Sequence, residues 1–188
     1  MGNIYGNHEI ISLPDGSDHI LGKGAQGITY LARHLTLENH RACKVIKHTR
    51  NDKARDMFLQ EARYVARLEH PHIVMVVDCG EQKGELYAIF EYCAYGSLAD
   101  YCSQNGPLAW PDALLVIKQM ANALHTVHTA KSTQFPNGLL HRDIKPENIM
   151  IHSLRPLHVK LIDFGVAGVI ESDAVSYTHL TLPTKRIV

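Results

Sequence analysis

Three polar clusters in this chain have residue types that could handle phosphate. Gly22-Lys23-Gly24-Ala25-Gln26-Gly27 spaces its glycines so that backbone N–H groups can approach phosphate oxygens with no side chain in the way. Two other readings attach to this stretch: a tight hairpin, or a dinucleotide fingerprint, which needs a helix straight after the last glycine. The next segment, Ile28 to Ala32, has instead the character of a strand. Lys44 sits in the apolar run Ala42-Cys43-Lys44-Val45, and Glu61 comes 17 residues later (61 minus 44). A carboxylate at that point can pair with the ammonium and aim it at nucleotide phosphates; by themselves the two read equally well as surface charges. The third cluster is His141-Arg142-Asp143-Ile144-Lys145-Pro146-Glu147-Asn148, with Asp163-Phe164-Gly165 beginning 20 residues after Asp143 (163 minus 143). Taken only as polar residues, these would serve as loop caps.

The elements that must position these groups follow from periodicity. Ile20-Leu21, Ile28 to Ala32 and Ala42 to Ile46 read as strands around the glycine-rich turn. Met57, Glu61, Tyr64, Val65 and Leu68 recur at helical spacing across Asn51 to Leu68. Ile73 to Val77 and Leu86 to Phe90 read as two more strands joined by the polar turn Glu81 to Gly84, after which Glu91 to Gly96 loses its pattern, as a linker between lobes would. Beyond it, Pro111 marks a helix start, and Leu114, Ile117, Ala121, Leu124 and Val127 form a stripe expected to face a core. Pro136-Asn137-Gly138 is a turn signal ahead of the short apolar pieces 138–140, 149–151 and 159–162.

In this order, the glycine loop, Lys44, Glu61, the His141 to Asn148 stretch and the Asp163 triplet resemble the motif set of serine/threonine protein kinases, over about Ser12 to Glu171. The resemblance implies an α+β fold of two lobes: an N-terminal antiparallel sheet lobe with one main helix, and an incomplete, mainly helical C-terminal lobe. It implies ATP and Mg²⁺ as cofactors and phosphoryl transfer to protein serine or threonine hydroxyls, a chemistry that asks the protein mainly to place groups and offset charge. On this reading Asp143 accepts or orients the proton of the substrate hydroxyl, Lys145 steadies the transferred phosphate, and Lys44 with Glu61 holds the nucleotide phosphates. Asn148 and Asp163 are the metal-holding residues, and their oxygen donors suit a hard ion. Gly22, Gly24 and Gly27 would lie over the phosphates, with Thr29 where the family usually has valine. Leu21, Ala42 and Met150 would sandwich adenine, Phe90 would guard the pocket behind it, and Glu91 and Cys93 would offer backbone hydrogen bonds to the base. Lys145 is the reason for reading serine/threonine over tyrosine specificity. The alternative is a catalytically silent nucleotide-binding or scaffold module; the intact Lys44, Asp143, Asn148 and Asp163 argue against it. A small-molecule kinase of the aminoglycoside type would lack Lys145 in this setting.

Composition narrows the partners. Of the 188 residues 45% are apolar and 20% charged, as in a soluble globular protein. Lys plus Arg and Asp plus Glu total 19 each, so no basic surplus points to nucleic acid. The partners expected are ATP and an unidentified protein substrate. Cys43, Cys79, Cys93 and Cys102 form no CxxC pair, which fits a reducing, cytoplasmic setting. Ile73 to Val77 is far short of the ~20 residues that cross a bilayer, so no membrane contact is expected from this segment. Gly6 stands where a myristoylation motif opening at Met1-Gly2 wants serine or threonine. His125 and His128 share a helical face, but His128 matches a histidine common near this helix's end in kinases.

The expected organisation is an N-terminal extension over 1–11, the first lobe over 12–92, a partial second lobe over 93–175, and a non-native tail over 176–188. From Tyr177 the chain reads Tyr-Thr-His-Leu-Thr-Leu-Pro-Thr-Lys-Arg-Ile-Val, which is similar to no activation segment and resembles read-through of a sequencing adapter. Without the later helices of the family, the face carrying Leu114, Ile117, Ala121 and Leu124 would stay open, at about 1.5–3 kcal/mol per exposed side chain. The polypeptide as written is therefore expected to aggregate and to lack phosphotransfer, although its parent would be active.

Overall fold

Short, β-branched segments separated by turn residues dominate the first ninety positions, and they pair into one antiparallel sheet. The computed structural model describes residues 3–24, 27–46, 52–131 and 138–164, apart from the side chains of residues 52–54, 57 and 61. The strands are β1 (Ile4–Tyr5), β2 (His8–Ile10), β3 (Ile20–Gly24), β4 (Gly27–His34), β5 (His40–Ile46), β6 (Val76–Gln82) and β7 (Glu85–Glu91), with helix α1 (Asp52–Val65) between β5 and β6. Their order is β1-β2-β4-β5-β7-β6, and β3 also pairs β4. The sheet thus takes in residues 4–10, which the sequence had placed in an extension ahead of the lobe. Short strands at a chain terminus carry too little periodicity to register, yet Tyr5 and Ile10 are buried with Ala32, Cys43, Val45, Tyr87 and Ile89 on one face of the sheet.

The two end strands of this sheet meet through a side chain. Gln82 Nε2 donates to the Ile4 carbonyl at 2.8 Å, and its Oε1 accepts from the Gly6 N–H at 3.1 Å. Tyr5 Oη adds a 2.6 Å bond to Glu85. The β6–β7 turn narrows to Lys83 and Gly84, both at positive φ (54° and 75°), the backbone that matches the twist of a two-residue hairpin. Where a strand was expected over Ile73 to Val77, β6 starts only at Val76; Ile73 bridges Leu161 of the second lobe instead.

That second lobe holds α2 (Leu98–Asn105), α3 (Trp110–Thr129), a 3₁₀ turn at Pro146–Asn148, and the hairpin β8 (Ile149–Leu154) with β9 (Leu157–Leu161). The sequence reading missed α2. Its signal is a capping box: Ser97 Oγ accepts from the Asp100 N–H while the Asp100 carboxylate accepts from the Ser97 N–H. On α3 the buried residues are Val116, Gln119, Met120, Ala123 and Val127. Of the stripe expected to face a core, only Val127 is fully buried; Leu124 is partly buried, while Leu114 and Ile117 are 53% and 60% exposed. Gln119 replaces a strand neighbour for β9, donating Nε2 to the Leu157 carbonyl (2.9 Å) and accepting from the Val159 N–H (2.8 Å). The largest core runs from Tyr64 and Val65 of α1 through α3 to β8, β9 and Phe164, so it spans both lobes.

Replacing Gln119 with leucine keeps the apolar fit but strands one buried N–H and one buried carbonyl, which should cost about 1–3 kcal/mol in urea unfolding. Trp110, at 76% exposure, extends the open face of Leu114 and Ile117. Introducing Leu114→Lys and Ile117→Glu together should lower self-association in light scattering and leave the unfolding midpoint almost unchanged.

Candidate active site

The site lies where the sheet, the β8–β9 hairpin and the loop before it converge. Lys44 stands mid-strand in β5, opposite Thr29 of β4 and Ala88 of β7, so these three share one face of the sheet. Lys44 is 9% exposed. A buried ammonium needs a partner, and the described one is Asp163, whose Oδ1 lies 2.6 Å from Nζ, 119 positions away in sequence. Glu61 is carried on α1, but its side chain lies outside the described residues, as do Ala25, Gln26 and Gly165.

Around this pair the glycine loop arches as β3 and β4. Gly22 and Gly24 are open to solvent, and a Cβ on either would meet no atom within 4 Å. At Gly27 a Cβ would fall 2.1 Å from the Val45 carbonyl oxygen, so only glycine lets β4 lie this close to β5. Leu21 is exposed at the loop's base, Ala42 pairs Phe90 across β5 and β7, and Met150 lies on β8. Cys93 is buried, and desolvation foremost, with the neighbouring Glu91 charge, pushes its thiol up to about 11. The Glu91 N–H is bonded to the Met75 carbonyl at 3.0 Å.

Residues 141–148 form a clasp. Asn148, 6% exposed, donates Nδ2 to both the Asp143 carbonyl (2.8 Å) and its Oδ2 (2.9 Å). Lys145 Nζ reaches the same Oδ2 at 2.7 Å. Lys145 first, and Asn148 after it, hold the Asp143 carboxyl below its usual range, and the Lys145 ammonium is raised in return. His141 locks the clasp to the chain before Asp163. Its buried ring donates Nε2 to the Ile162 carbonyl (2.7 Å), accepts at Nδ1 from the Asp143 N–H (3.3 Å), and leans on Phe164 with centroids 5.1 Å apart. The Ile162 N–H closes the loop on the Asn148 carbonyl at 2.9 Å. Arg142 and Asp163 both adopt positive φ (63° and 60°), a conformation that side chains hold only when their surroundings impose it.

The structure therefore brings together Lys44, Asp163, Asn148, Asp143 and Lys145. Leu21, Gly22 and Gly24 lie on β3, Gly27 and Thr29 on β4, Ala42 on β5, Phe90 and Glu91 on β7 and Met150 on β8, with Cys93 two residues past β7. His125 and His128 are exposed on α3, and among the described residues no group of three or more His, Cys, Asp or Glu side chains has the geometry to hold a metal by itself. The oxygens left over by the clasp suit a divalent ion completed by phosphate and water: Asn148 Oδ1 and Asp163 Oδ2 make no hydrogen bond among the described residues. Sequence reasoning gave no role to His141 or to Lys160; the signal for the latter was the same as for Lys44, a cation inside an apolar strand.

The family model described as "Protein kinase domain" matches residues 17–183. The chain is 31% identical over 181 residues to the serine/threonine-protein kinase PrkC of Bacillus subtilis, covering 95% of this chain and 26% of that protein. It is 37% identical over 177 residues to the serine/threonine-protein kinase PknB of Mycobacterium leprae, covering 89% and 26%. The chain thus spans about a quarter of the length of these curated relatives. A crystal structure of Rad53 residues 1–466 in complex with AMP-PNP superposes with a TM-score of 0.72 and 27% identity, over 85% of this chain and 38% of that one.

Burial holds His8, His70, His72 and His141 below the usual histidine range. The folded chain therefore takes up protons at these rings less readily than the unfolded chain, whose histidines titrate near pH 6.5. Stability should fall as pH drops from about 6.5 toward 5, and the urea midpoint at pH 5 should lie below that at pH 7. The Asp143 contribution, from a depressed carboxyl, is lost only at still lower pH.

Proposed function

This chain belongs to the protein kinase family, and from that premise we propose that the protein it represents transfers the γ-phosphoryl group of ATP to serine or threonine hydroxyls of proteins. The 2.6 Å contact between Lys44 and Asp163 carries the reading, because it joins a cation of the first lobe to an anion of the second at the point where nucleotide phosphates would sit. Asp143, half exposed and held as a carboxylate, is the group that accepts the proton of an incoming hydroxyl. Lys145, beside it, offsets charge on the phosphoryl in flight. Lys44 orients the α- and β-phosphates, and Glu61 on α1 is placed by sequence to steady it. Bound through Asn148 and Asp163, Mg²⁺ would neutralise charge between the β- and γ-phosphates.

Base recognition falls to the cleft's apolar border. Leu21, Ala42 and Met150 enclose adenine, Phe90 limits the space behind it, and the connector at Glu91 and Cys93 presents backbone groups. Gly22, Gly24, Gly27 and Thr29 cover the phosphates. The relatives' own names as serine/threonine kinases support the substrate class, and Lys145 fits it. A cytoplasmic setting goes with four free cysteines, two of them buried. No described helix is long and apolar enough to cross a membrane.

In a version of the chain extended through the rest of the kinase domain, Asp143→Asn should cut phosphorylation of a serine-containing peptide by about 10²–10⁴. ATP affinity in the presence of Mg²⁺ should change little in that variant, whereas Lys44→Met should weaken it. Peptide phosphorylation undiminished in Asp143→Asn would refute the assignment.

A further inference from the structure

A second cross-lobe ion pair, largely but not fully shielded from solvent, lies outside the catalytic set. Lys160 is the fourth of the five residues of β9 (Leu157–Leu161), where its strand neighbours Val159 and Leu161 are buried. Its side chain is 11% exposed and that of Glu91 is 15% exposed, and their Nζ and Oε1 atoms are 2.7 Å apart. Burying two charges this far is costly unless further hydrogen bonds complete the pair. Glu91 is so completed: the same Oε1 accepts from the Met75 N–H at 2.8 Å, and the Glu91 N–H returns a bond to the Met75 carbonyl at 3.0 Å.

Each partner borders a different part of the cleft. Glu91 is the last residue of β7, where the chain leaves the first lobe, and it follows Phe90. Lys160 pairs backbone to backbone with Met150 on β8 and precedes Asp163 by three positions. The segment that joins them, residues 72–75, is bonded on its other side to β9, with Leu161 N–H to the His72 carbonyl at 2.9 Å and Val74 N–H to the Leu161 carbonyl at 3.0 Å. One ammonium therefore ties the connector that would face the base to the hairpin that would form the floor beneath it.

Resting on the nucleotide-binding reading above, we propose that Lys160 is a positioning residue for adenine recognition: through Glu91 it fixes the backbone of the connector relative to the β8–β9 floor. It touches neither phosphate nor metal. Its removal should thus affect the base half of the ligand alone.

Isothermal titration of the chain extended through the rest of the kinase domain with ATP plus Mg²⁺, and separately with adenosine, tests this. Lys160→Met should weaken both ligands in the same proportion, by about tenfold, a size typical of coupling between two sites. Lys160→Arg, which keeps the charge, should recover most of the loss. Lys44→Met, by contrast, should weaken ATP and spare adenosine. Glu91→Gln, which retains the Met75 bond and the side-chain size, provides a milder variant should Lys160→Met fail to fold, and it should weaken adenosine as well. Adenosine affinity unchanged in the folded variants, or a loss confined to ATP, would overturn the proposal. Absence of ATP binding by the unsubstituted chain is a different result, and it would remove the nucleotide reading and this inference together.

Discussion

Lys44 is an ammonium placed where a strand would ordinarily carry an apolar residue, and nothing in the first lobe's described sheet neutralises it. Its neighbours across the sheet, Thr29 and Ala88, offer no charge. Neutralisation comes from Asp163, which belongs to the second lobe and follows the last strand of its hairpin. The pair thereby sets what the surrounding chain must do. The sheet must present Lys44 on the inward face, the cross-lobe core from Tyr64 to Phe164 must bring β9 beneath it, and Asp163 must turn its carboxylate upward through a left-handed backbone. A nucleotide's phosphates and their metal would enter between charges already in place, so little of the binding energy would be consumed in assembling them.

The loop over residues 141–148 depends on the same turn. His141 contributes no charge to the cleft, yet it contacts both the residue before Asp163 and the N–H of Asp143. Its neutral form is the one that can donate at Nε2 while accepting at Nδ1, and its burial favours that form. The two strained residues, Arg142 and Asp163, lie immediately beside the groups that His141 bonds. The loop is thus held from within the core, and Asp143 and Lys145 are left half exposed, as the proposed transfer to a protein hydroxyl requires.

Motif spacing in the sequence singled out Lys44, Asp143, Lys145, Asn148 and Asp163, and the structure brings these five side chains together. Strands β4, β5 and β7 were legible from their short apolar runs bounded by turn residues, and α1 from its apolar spacing. Elements held by long-range contacts were not. The β1–β2 hairpin is two and three residues per strand, too short for any period to show. Ile73 looked like part of a strand because it is apolar, but its partner is Leu161, 88 positions away (161 minus 73). On α3 the apolar residues cover more than one face, so periodicity could not say which face the hairpin would choose; Gln119, a polar residue, marks the buried side because it bonds to backbone. The Lys160–Glu91 pair was invisible for the same reason, since neither charge announces its partner from sequence alone.

The amide of Gln82 has a consequence for where this lobe can be considered to begin. By bonding to Ile4 and Gly6 it stands in for a missing stretch of ladder between the first and last strands, so the sheet's two margins shield one another at that corner. A polypeptide trimmed to Ser12 would lose that seal, and it would uncover the apolar surface over Cys43, Val45 and Ile89 that Tyr5 and Ile10 roof. It would also leave unpaired backbone along β4 where His8 to Ile10 had lain. Bare strand margins beside an apolar face are what other chains add to, and residues 4–10 keep that margin and that face covered.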